Sequence, residues 1–274
     1  MDGSGNYNPP ELLPGSVWLV GAGPGDPGLV SWLAHSALRS ADAVIYDPGV
    51  EPGTLALVPP GRLSQPARPT GNHGSIIERC ISLAREGWRV VRLIEGDPLA
   101  DPAGVAAALA LSAASIPYRV VPGITAMIAG PAFAGVPVTR RGVNAAVQFL
   151  TLGEDDDVAT TPLGEIDGTA VVATLAPRQL RPFAARLRAE GASPEMPLLV
   201  LLEAGHSGQR AFESTIGDPL LPASAALEHR IVVVIGDVVA TRRQLTVVRE
   251  DAIPQAPIPA FDHAGGFSMV GIAG

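Results

Sequence analysis

The stretch Val20-Gly21-Ala22-Gly23-Pro24-Gly25-Asp26-Pro27-Gly28-Leu29 decides how the chain begins to fold. It follows the apolar run at residues 16–20, and an apolar run that stops at a Gly and Pro cluster is typical of a buried strand entering a loop. The motif is more specific than a tight turn requires. It therefore predicts a strand followed by a ligand-binding loop.

One alternative for this loop is a dinucleotide site, which requires Gly-x-Gly-x-x-Gly opening a helix. Gly21 and Gly23 fit that pattern, but Asp26 stands at the third glycine position and would place a negative charge where a pyrophosphate should lie. Pro24 also removes a backbone donor. Asp47, near the end of the next predicted strand, could act as a ribose-binding acid, so an NAD-dependent oxidoreductase stays open as an alternative.

Strand and helix patterns alternate along the rest of the chain. Strands are predicted at residues 43–46, 89–94, 118–121, 146–152, 169–174, 198–202 and 231–235, and helices at 29–40, 75–86, 104–114 and 179–190. This βαβ alternation predicts an α/β fold with mostly parallel or mixed sheets. A boundary near residues 140–145 separates two predicted α/β domains, 16–142 and 143–248. A flexible segment (1–15) precedes them, and an extended or poorly ordered tail (249–274) follows them.

Composition restricts the classes of function. The 274 residues are 47% hydrophobic, which is enough apolar material for two cores. The net charge is −8 and no basic stripe is present, so a nucleic-acid partner is not expected. No apolar run approaches the ~20 residues that span a bilayer, and the N-terminus lacks a signal-peptide pattern. The sequence therefore predicts a cytoplasmic enzyme with no membrane partner.

Cysteine and histidine give no pattern for a metal site. Cys80 is the only cysteine, so neither an internal disulfide nor a CxxC pair is possible. His35, His206 and His229 lack the spacing of paired ligands and are interpreted as surface or capping residues. No metal is expected.

Further motifs stand in a recognisable order. They are Val44-Ile45-Tyr46-Asp47, Val90-Val91-Arg92-Leu93 with Gly96-Asp97-Pro98, Val120-Val121-Pro122-Gly123-Ile124-Thr125-Ala126, and the run at residues 132–141. Together with the glycine-rich loop, they resemble the tetrapyrrole methylase family, and within it the uroporphyrinogen-III C-methyltransferase branch. The resemblance covers about residues 16–245.

The resemblance implies two α/β domains with the active site in the cleft between them, and a homodimer. It also implies S-adenosylmethionine as methyl donor and S-adenosylhomocysteine as product. The implied cofactor contacts are Pro24, Glu95, Gly96, Asp97, Ala100, Thr125, Ala126, Leu175 and Gly205. Ligands of open α/β sheets bind beyond the carboxyl ends of the strands, so the loops at Gly21, Gly96 and Thr125 should converge.

The implied reaction is C-methylation of a tetrapyrrole, from uroporphyrinogen III to precorrin-2, for sirohaem or cobalamin. In such a reaction the enzyme aligns the reactants and manages a proton. By resemblance Asp47 is the proton acceptor, and Arg68 stands about where the family carries a lysine. Arg140 and Arg141 are candidates for holding substrate carboxylates, because arginine binds carboxylates bidentately.

Several positions depart from the family pattern. Ala103 stands where an arginine is expected, Glu95 replaces a glycine, and Phe133 lacks a tyrosine hydroxyl. Arg140 replaces a histidine, and Leu175 replaces a methionine. These changes leave open a methylase for another substrate, or a binding protein with little turnover.

Overall fold

The first half of the chain forms a parallel sheet. The computed structural model describes residues 9–67, 73–153, 155–224 and 230–245. In these ranges the strands of the first sheet are β1 Val17–Gly21, β2 Ala43–Tyr46, β3 Leu63–Pro66, β4 Val90–Ile94 and β5 Tyr118–Val121. They stand in the order β3-β2-β4-β1-β5, and all neighbours are parallel. Their carboxyl ends therefore lie at one edge.

Helices cover both faces of this sheet. They are α1 Trp32–Ser40, α2 Pro52–Leu55, α3 His73–Arg85 and α4 Pro102–Ala113. Trp18 and Val20 pack into the core that includes α1, whereas Val17 and Leu19 pack into the core that includes α3 and α4. Strand β1 is consequently buried along its whole length, which explains its unbroken apolar sequence.

The second sheet is mixed. Its strands within the described ranges are β6 Ala146–Thr151, β7 Thr169–Leu175, β8 Pro197–Leu202, β9 Arg210–Thr215 and β10 Ile231–Ile235, in the order β6-β7-β10-β8-β9. Strands β6 and β7 are parallel, and the other neighbours are antiparallel. Strand β9 was not predicted, because this half-exposed edge strand has no apolar run.

Within the described residues, one α-helix covers each face of the second sheet. Helix α6, Leu180–Ala189, buries Leu180, Phe183 and Leu187 on one face. Helix α5, Ala126–Phe133, buries Met127 on the other face, with Leu199 and Val234 in the same core. Helix α5 lies inside the predicted domain 16–142 but belongs to the second core, so the change of core precedes the predicted boundary. It joins the two halves.

The termini differ from expectation in one respect. Leu12 is fully buried in the first core, and the Gly15 N–H donates to the Trp88 carbonyl at 3.1 Å. The predicted flexible segment 1–15 is therefore too long, because the fold already holds Leu12. Residues 1–8 and the predicted tail 249–274 lie outside the described residues. None of the helices in the described ranges combines the length and apolar character needed to cross a bilayer.

Candidate active site

The loops that follow β1, β4 and β5 meet at the carboxyl edge of the first sheet. The Gly23 N–H donates to the Gly96 carbonyl at 3.3 Å, and the Gly96 N–H donates back to the Gly23 carbonyl at 2.9 Å. A Cβ on Gly21 would lie 2.6 Å from the Gly96 oxygen, and one on Gly123 would overlap that oxygen. A Cβ on Gly96 would lie 3.6 Å from the Thr125 Cα. The three loops predicted to converge do so, and the backbone is packed so closely at Gly21 and Gly123 that neither position has room for a side chain.

The Asp97 side chain links the turn after β4 to the loop after β5 through hydrogen bonds. Its Oδ1 accepts hydrogen bonds from the Leu99 and Ala100 amides at 2.8 and 3.0 Å, and its Oδ2 accepts one from the Gly123 amide at 3.0 Å. Both oxygens are thus engaged in holding the turn after β4 against the loop after β5. A ligand at this turn would therefore contact the backbone of Asp97 and Ala100.

Thr125 connects the loop after β5 to α5. Its Oγ1 accepts a hydrogen bond from the Met127 amide at 3.3 Å and caps the helix that begins at Ala126. The helix N-terminus, which carries partial positive charge, is therefore fixed beside Gly96. Thr125 and Ala126 are both half-buried, so this segment remains accessible from the cleft.

Asp47 is a rigidly held carboxylate at the end of β2. Its Oδ1 pairs with the Arg92 guanidinium, and its Oδ2 accepts a hydrogen bond from the Glu95 amide at 3.1 Å. Arg92 is itself only 4% exposed and donates through Nη1 to the Leu93 carbonyl at 2.7 Å. The Asp47 side chain keeps 23% of its surface accessible. Asp47 is therefore a partly accessible carboxylate whose orientation is fixed from both oxygens.

The second half of the chain reaches the same edge through the loop after β8. The Gly205 N–H donates to Gln209 Oε1 at 2.7 Å, and Gln209 Nε2 donates to the Gly130 carbonyl at 2.9 Å. Gly205 has a φ of +89°, and a Cβ on it would overlap Pro24. Two residues predicted to contact the cofactor, Pro24 and Gly205, therefore touch across the cleft between the two halves.

A histidine and a glutamate, which the sequence analysis did not assign to the site, bridge the same cleft. His206 Nδ1 lies 2.8 Å from Glu51 Oε1. A Cβ on Gly25 would lie 2.6 Å from that same ring nitrogen, so the imidazole packs directly on the glycine-rich loop. The sequence analysis interpreted His206 as a surface or capping residue. The two partners are 155 positions apart, and no local spacing could have paired them.

The remaining predicted site residues that the structure describes are Leu175, Arg140 and Arg141. The Leu175 side chain is 0% exposed and packs in the core beneath α6, so it faces away from the cleft. Arg140 donates to Thr241 Oγ1 and Gln244 Oε1, both at 3.0 Å, near the start of β6. Arg141 is exposed next to it.

The start of β6 is the sheet edge opposite the loop that carries Gly205, roughly 20 Å away for a six-residue strand. The structure therefore does not bring Arg140 and Arg141 to the convergent loops. Arg68, which the resemblance places about where the family carries a lysine, lies outside the described residues.

Neither metal nor thiol chemistry has a visible basis in the described part of the chain. No group of three or more His, Cys, Asp or Glu side chains there is arranged to hold a metal ion. Cys80 lies on the buried face of α3, and desolvation raises the pKa of its thiol to about 11. A thiol in that state is a poor nucleophile.

The glycine-rich loop does not form the dinucleotide site considered above. Strand β1 ends at Gly21, but α1 begins only at Trp32, so the loop does not open directly onto a helix. The Asp26 carboxylate instead accepts a hydrogen bond from the Gly28 amide at 2.7 Å and caps a short 3-10 turn, Pro27–Leu29. A carboxylate occupies the place where a pyrophosphate would bind, so the geometry does not favour the NAD-dependent alternative.

Comparison with known proteins gives a consistent picture. The family model for tetrapyrrole (corrin/porphyrin) methylases matches residues 16–220. A uroporphyrinogen-III C-methyltransferase from Sinorhizobium sp is 40% identical over 246 residues, covering 86% of this chain and 88% of the relative.

Two crystal structures from Thermus thermophilus are also similar. The first, a uroporphyrin-III-C-methyltransferase, is 33% identical with a TM-score of 0.73, covering 85% of this chain and 100% of the other. The second is a uroporphyrin-III C-methyltransferase in complex with S-adenosyl homocysteine. It is 27% identical with a TM-score of 0.66, covering 82% of this chain and 99% of the other.

Proposed function

Because this chain belongs to the tetrapyrrole (corrin/porphyrin) methylases, we propose that it transfers methyl groups from S-adenosylmethionine to ring carbons of uroporphyrinogen III, giving precorrin-2. The observation that carries this proposal is the convergence of the loops at Gly21, Gly96 and Thr125 on the contact between Pro24 and Gly205. The product would serve sirohaem or cobalamin synthesis, as the sequence resemblance implies.

The chemistry of the cleft fits a sulfonium nucleoside. Such a ligand has no phosphate, and it needs backbone surfaces that come close to its adenine and methionyl parts. Gly96, Thr125 and Ala126 would supply these surfaces from the first half. Pro24 and Gly205, which touch across the cleft, would border the ligand from the two halves. Leu175 would contact the cofactor through its backbone, because its side chain is in the core.

Bound S-adenosylmethionine supplies an electrophilic methyl group. C-methylation leaves a proton to be removed from the substrate ring, and Asp47 is the carboxylate that we assign to accept it. Arg92 and the Glu95 amide fix the orientation of Asp47, so little reorganisation is needed. Arg68 replaces a lysine but cannot give up its proton, so its proposed role is to hold a substrate carboxylate.

Two measurements test the proposal. Calorimetric titration with S-adenosylhomocysteine should show binding, and incubation with S-adenosylmethionine and uroporphyrinogen III under anaerobic conditions should give singly and doubly methylated products by mass spectrometry. Failure to bind S-adenosylhomocysteine would refute the proposal. Binding without methylation of uroporphyrinogen III would favour the alternatives, a methylase for another tetrapyrrole or a binding protein.

We also propose that the chain forms a homodimer in which α4 contributes to the interface. Helix α4 is apolar on all sides, and Val105 and Leu109, one turn apart, are 41% and 67% exposed. Two other large apolar side chains, Ile128 on α5 and Phe149 on the edge strand β6, are also 41% and 42% exposed. Light scattering should give twice the monomer mass for the wild type and a lower mass for Leu109→Glu.

A cytoplasmic location, expected from the sequence, stays a prediction. Fractionation of cells that express the tagged chain would check it.

A further inference from the structure

We propose that Glu95 makes the cofactor cleft selective for a cationic ligand, so that it binds S-adenosylmethionine more tightly than neutral S-adenosylhomocysteine. The inference rests on the function proposed above and deepens it. It concerns a residue that stands where the family pattern has a glycine, so it is a property of this chain.

The position of Glu95 places its charge inside the cleft. The residue follows β4 directly, its amide donates to Asp47, and the next residue, Gly96, forms the bridge with Gly23. The side chain lies over Gly49: a Cβ on that glycine would overlap Glu95 Oε2. The carboxylate thus lies beside the convergent loops.

The other carboxylates near these loops already have partners. Asp47 pairs with Arg92, and Asp97 accepts three backbone N–H bonds. Glu51 is bonded to His206. Within the described ranges, the Glu95 carboxylate forms no hydrogen bond or ion pair, so it is the negative charge in the cleft left to be compensated by a ligand.

The surroundings of Glu95 disfavour the ionised form of its carboxyl group. The walls of the cleft partly desolvate Glu95 even though one side faces solvent, and this, together with the nearby Asp47, raises its pKa. Asp101 acts in the same direction, whereas His206 and Arg230 act in the opposite one. A carboxylate kept at an unfavourable position without a protein partner is what a binding site for a cation requires.

The two ligands differ in the one property that Glu95 would detect. S-Adenosylmethionine carries a methyl group and a positive charge on sulfur, and S-adenosylhomocysteine carries neither. A unit positive charge beside a carboxylate in a partly solvated cleft gains about tenfold in affinity. The site would therefore release its product more readily than its methyl donor, which matters for an enzyme that transfers more than one methyl group per substrate.

Calorimetry at pH 8 with three ligands tests the inference. The ligands are S-adenosylmethionine, S-adenosylhomocysteine and sinefungin, in which a protonated amine replaces the sulfonium. For Glu95→Gln, the affinity for the two cationic ligands should fall about tenfold, and that for S-adenosylhomocysteine should stay within about twofold. Glu95→Asp, which keeps the charge, should retain most of the selectivity.

Glu195→Gln is the matched control, because Glu195 is exposed and precedes β8, at the sheet edge opposite the loop with Gly205. It changes the net charge equally and should leave all three affinities unchanged. A parallel loss for all three ligands in Glu95→Gln, no loss at all, or an equal loss in the control would overturn the inference. If the wild type binds none of the ligands, the proposed function itself falls. If the wild type binds the ligands but Glu95→Gln shows no loss specific to the two cationic ones, only the role of Glu95 is refuted.

Discussion

Replacing Asp47 by asparagine should separate the structural and chemical roles of this carboxylate. Arg92 is 4% exposed and its side chain 5%, so water does little to stabilise its charge. The buried guanidinium is stabilised instead by Asp47 and by the carbonyls of Leu93 and Ile45. Removing one partner of a fully buried ion pair costs about 3–5 kcal/mol. Asp47 is 23% accessible, so water would replace part of the lost interaction, and we expect a loss of about 2–3 kcal/mol in the free energy of unfolding.

The assay is urea denaturation followed by circular dichroism, run on the wild type, Asp47→Asn, Arg92→Met and the double variant. If the pair is coupled as the geometry indicates, the double variant should be destabilised by less than the sum of the single variants, by at least about 1 kcal/mol. Methylation should be lost in Asp47→Asn even under conditions where that variant is fully folded, because the amide cannot accept the proton.

Two results would contradict this reasoning. A change below about 0.5 kcal/mol for Asp47→Asn, typical of surface substitutions, would mean that the ion pair does not stabilise the fold. Full methyltransferase activity of the folded Asp47→Asn variant would remove Asp47 from the proposed proton transfer.

Three further predictions follow from single contacts. Gly205→Ala should weaken binding of S-adenosylhomocysteine at least tenfold in calorimetry, because its Cβ would overlap Pro24 at a φ of +89°; binding equal to wild type would show that this contact does not shape the site. Hydrogen bonds and the ion pair with Arg89 lower the pKa of Asp42 to about 2, so its stabilising effect is full above about pH 4 and is lost as the pH falls toward 2. Asp42→Asn should therefore cost about 1–2 kcal/mol in urea denaturation at pH 7, and a gap that stays constant down to pH 2 would exclude this cause. Cys80, with its thiol pKa raised to about 11 by burial, should react with a thiol reagent only after urea is added, whereas fast reaction of the native protein would show that α3 opens readily.

Most helices and strands of the core could be predicted, because the apolar residues that each one buries form a recognisable run or spacing in the sequence. Strands β1, β2, β4 and β10 and helices α1, α3, α4 and α6 all lie within a few residues of their predicted bounds. Helix α4 has no such pattern and was predicted from its alanine content, whereas α2, β3, α5 and β9 were not predicted. Helix α5 is apolar throughout, with a proline inside it, and β9 is a polar edge strand. Neither has the periodicity that identifies a helix or a strand from sequence.

The convergence of the glycine loops was determined by the sequence, because parallel strands in one sheet bring their carboxyl ends to one edge whatever the details of packing. Gly21, Gly96 and Thr125 all follow such strands. The direction of a side chain in a doubly buried strand was not determined in this way. Strand β7 is apolar on both faces, so the sequence gives no sign that Leu175 points into the core beneath α6.

Contacts between the two halves were decided only by the tertiary structure. Pro24 meets Gly205, and His206 meets Glu51, because α5 fixes the loop after β8 against the first sheet through Gln209. Such pairs are far apart in the sequence and depend on how two independently patterned cores are docked. Local periodicity reports which face of an element is buried, but it contains no information about which distant loop that element will touch.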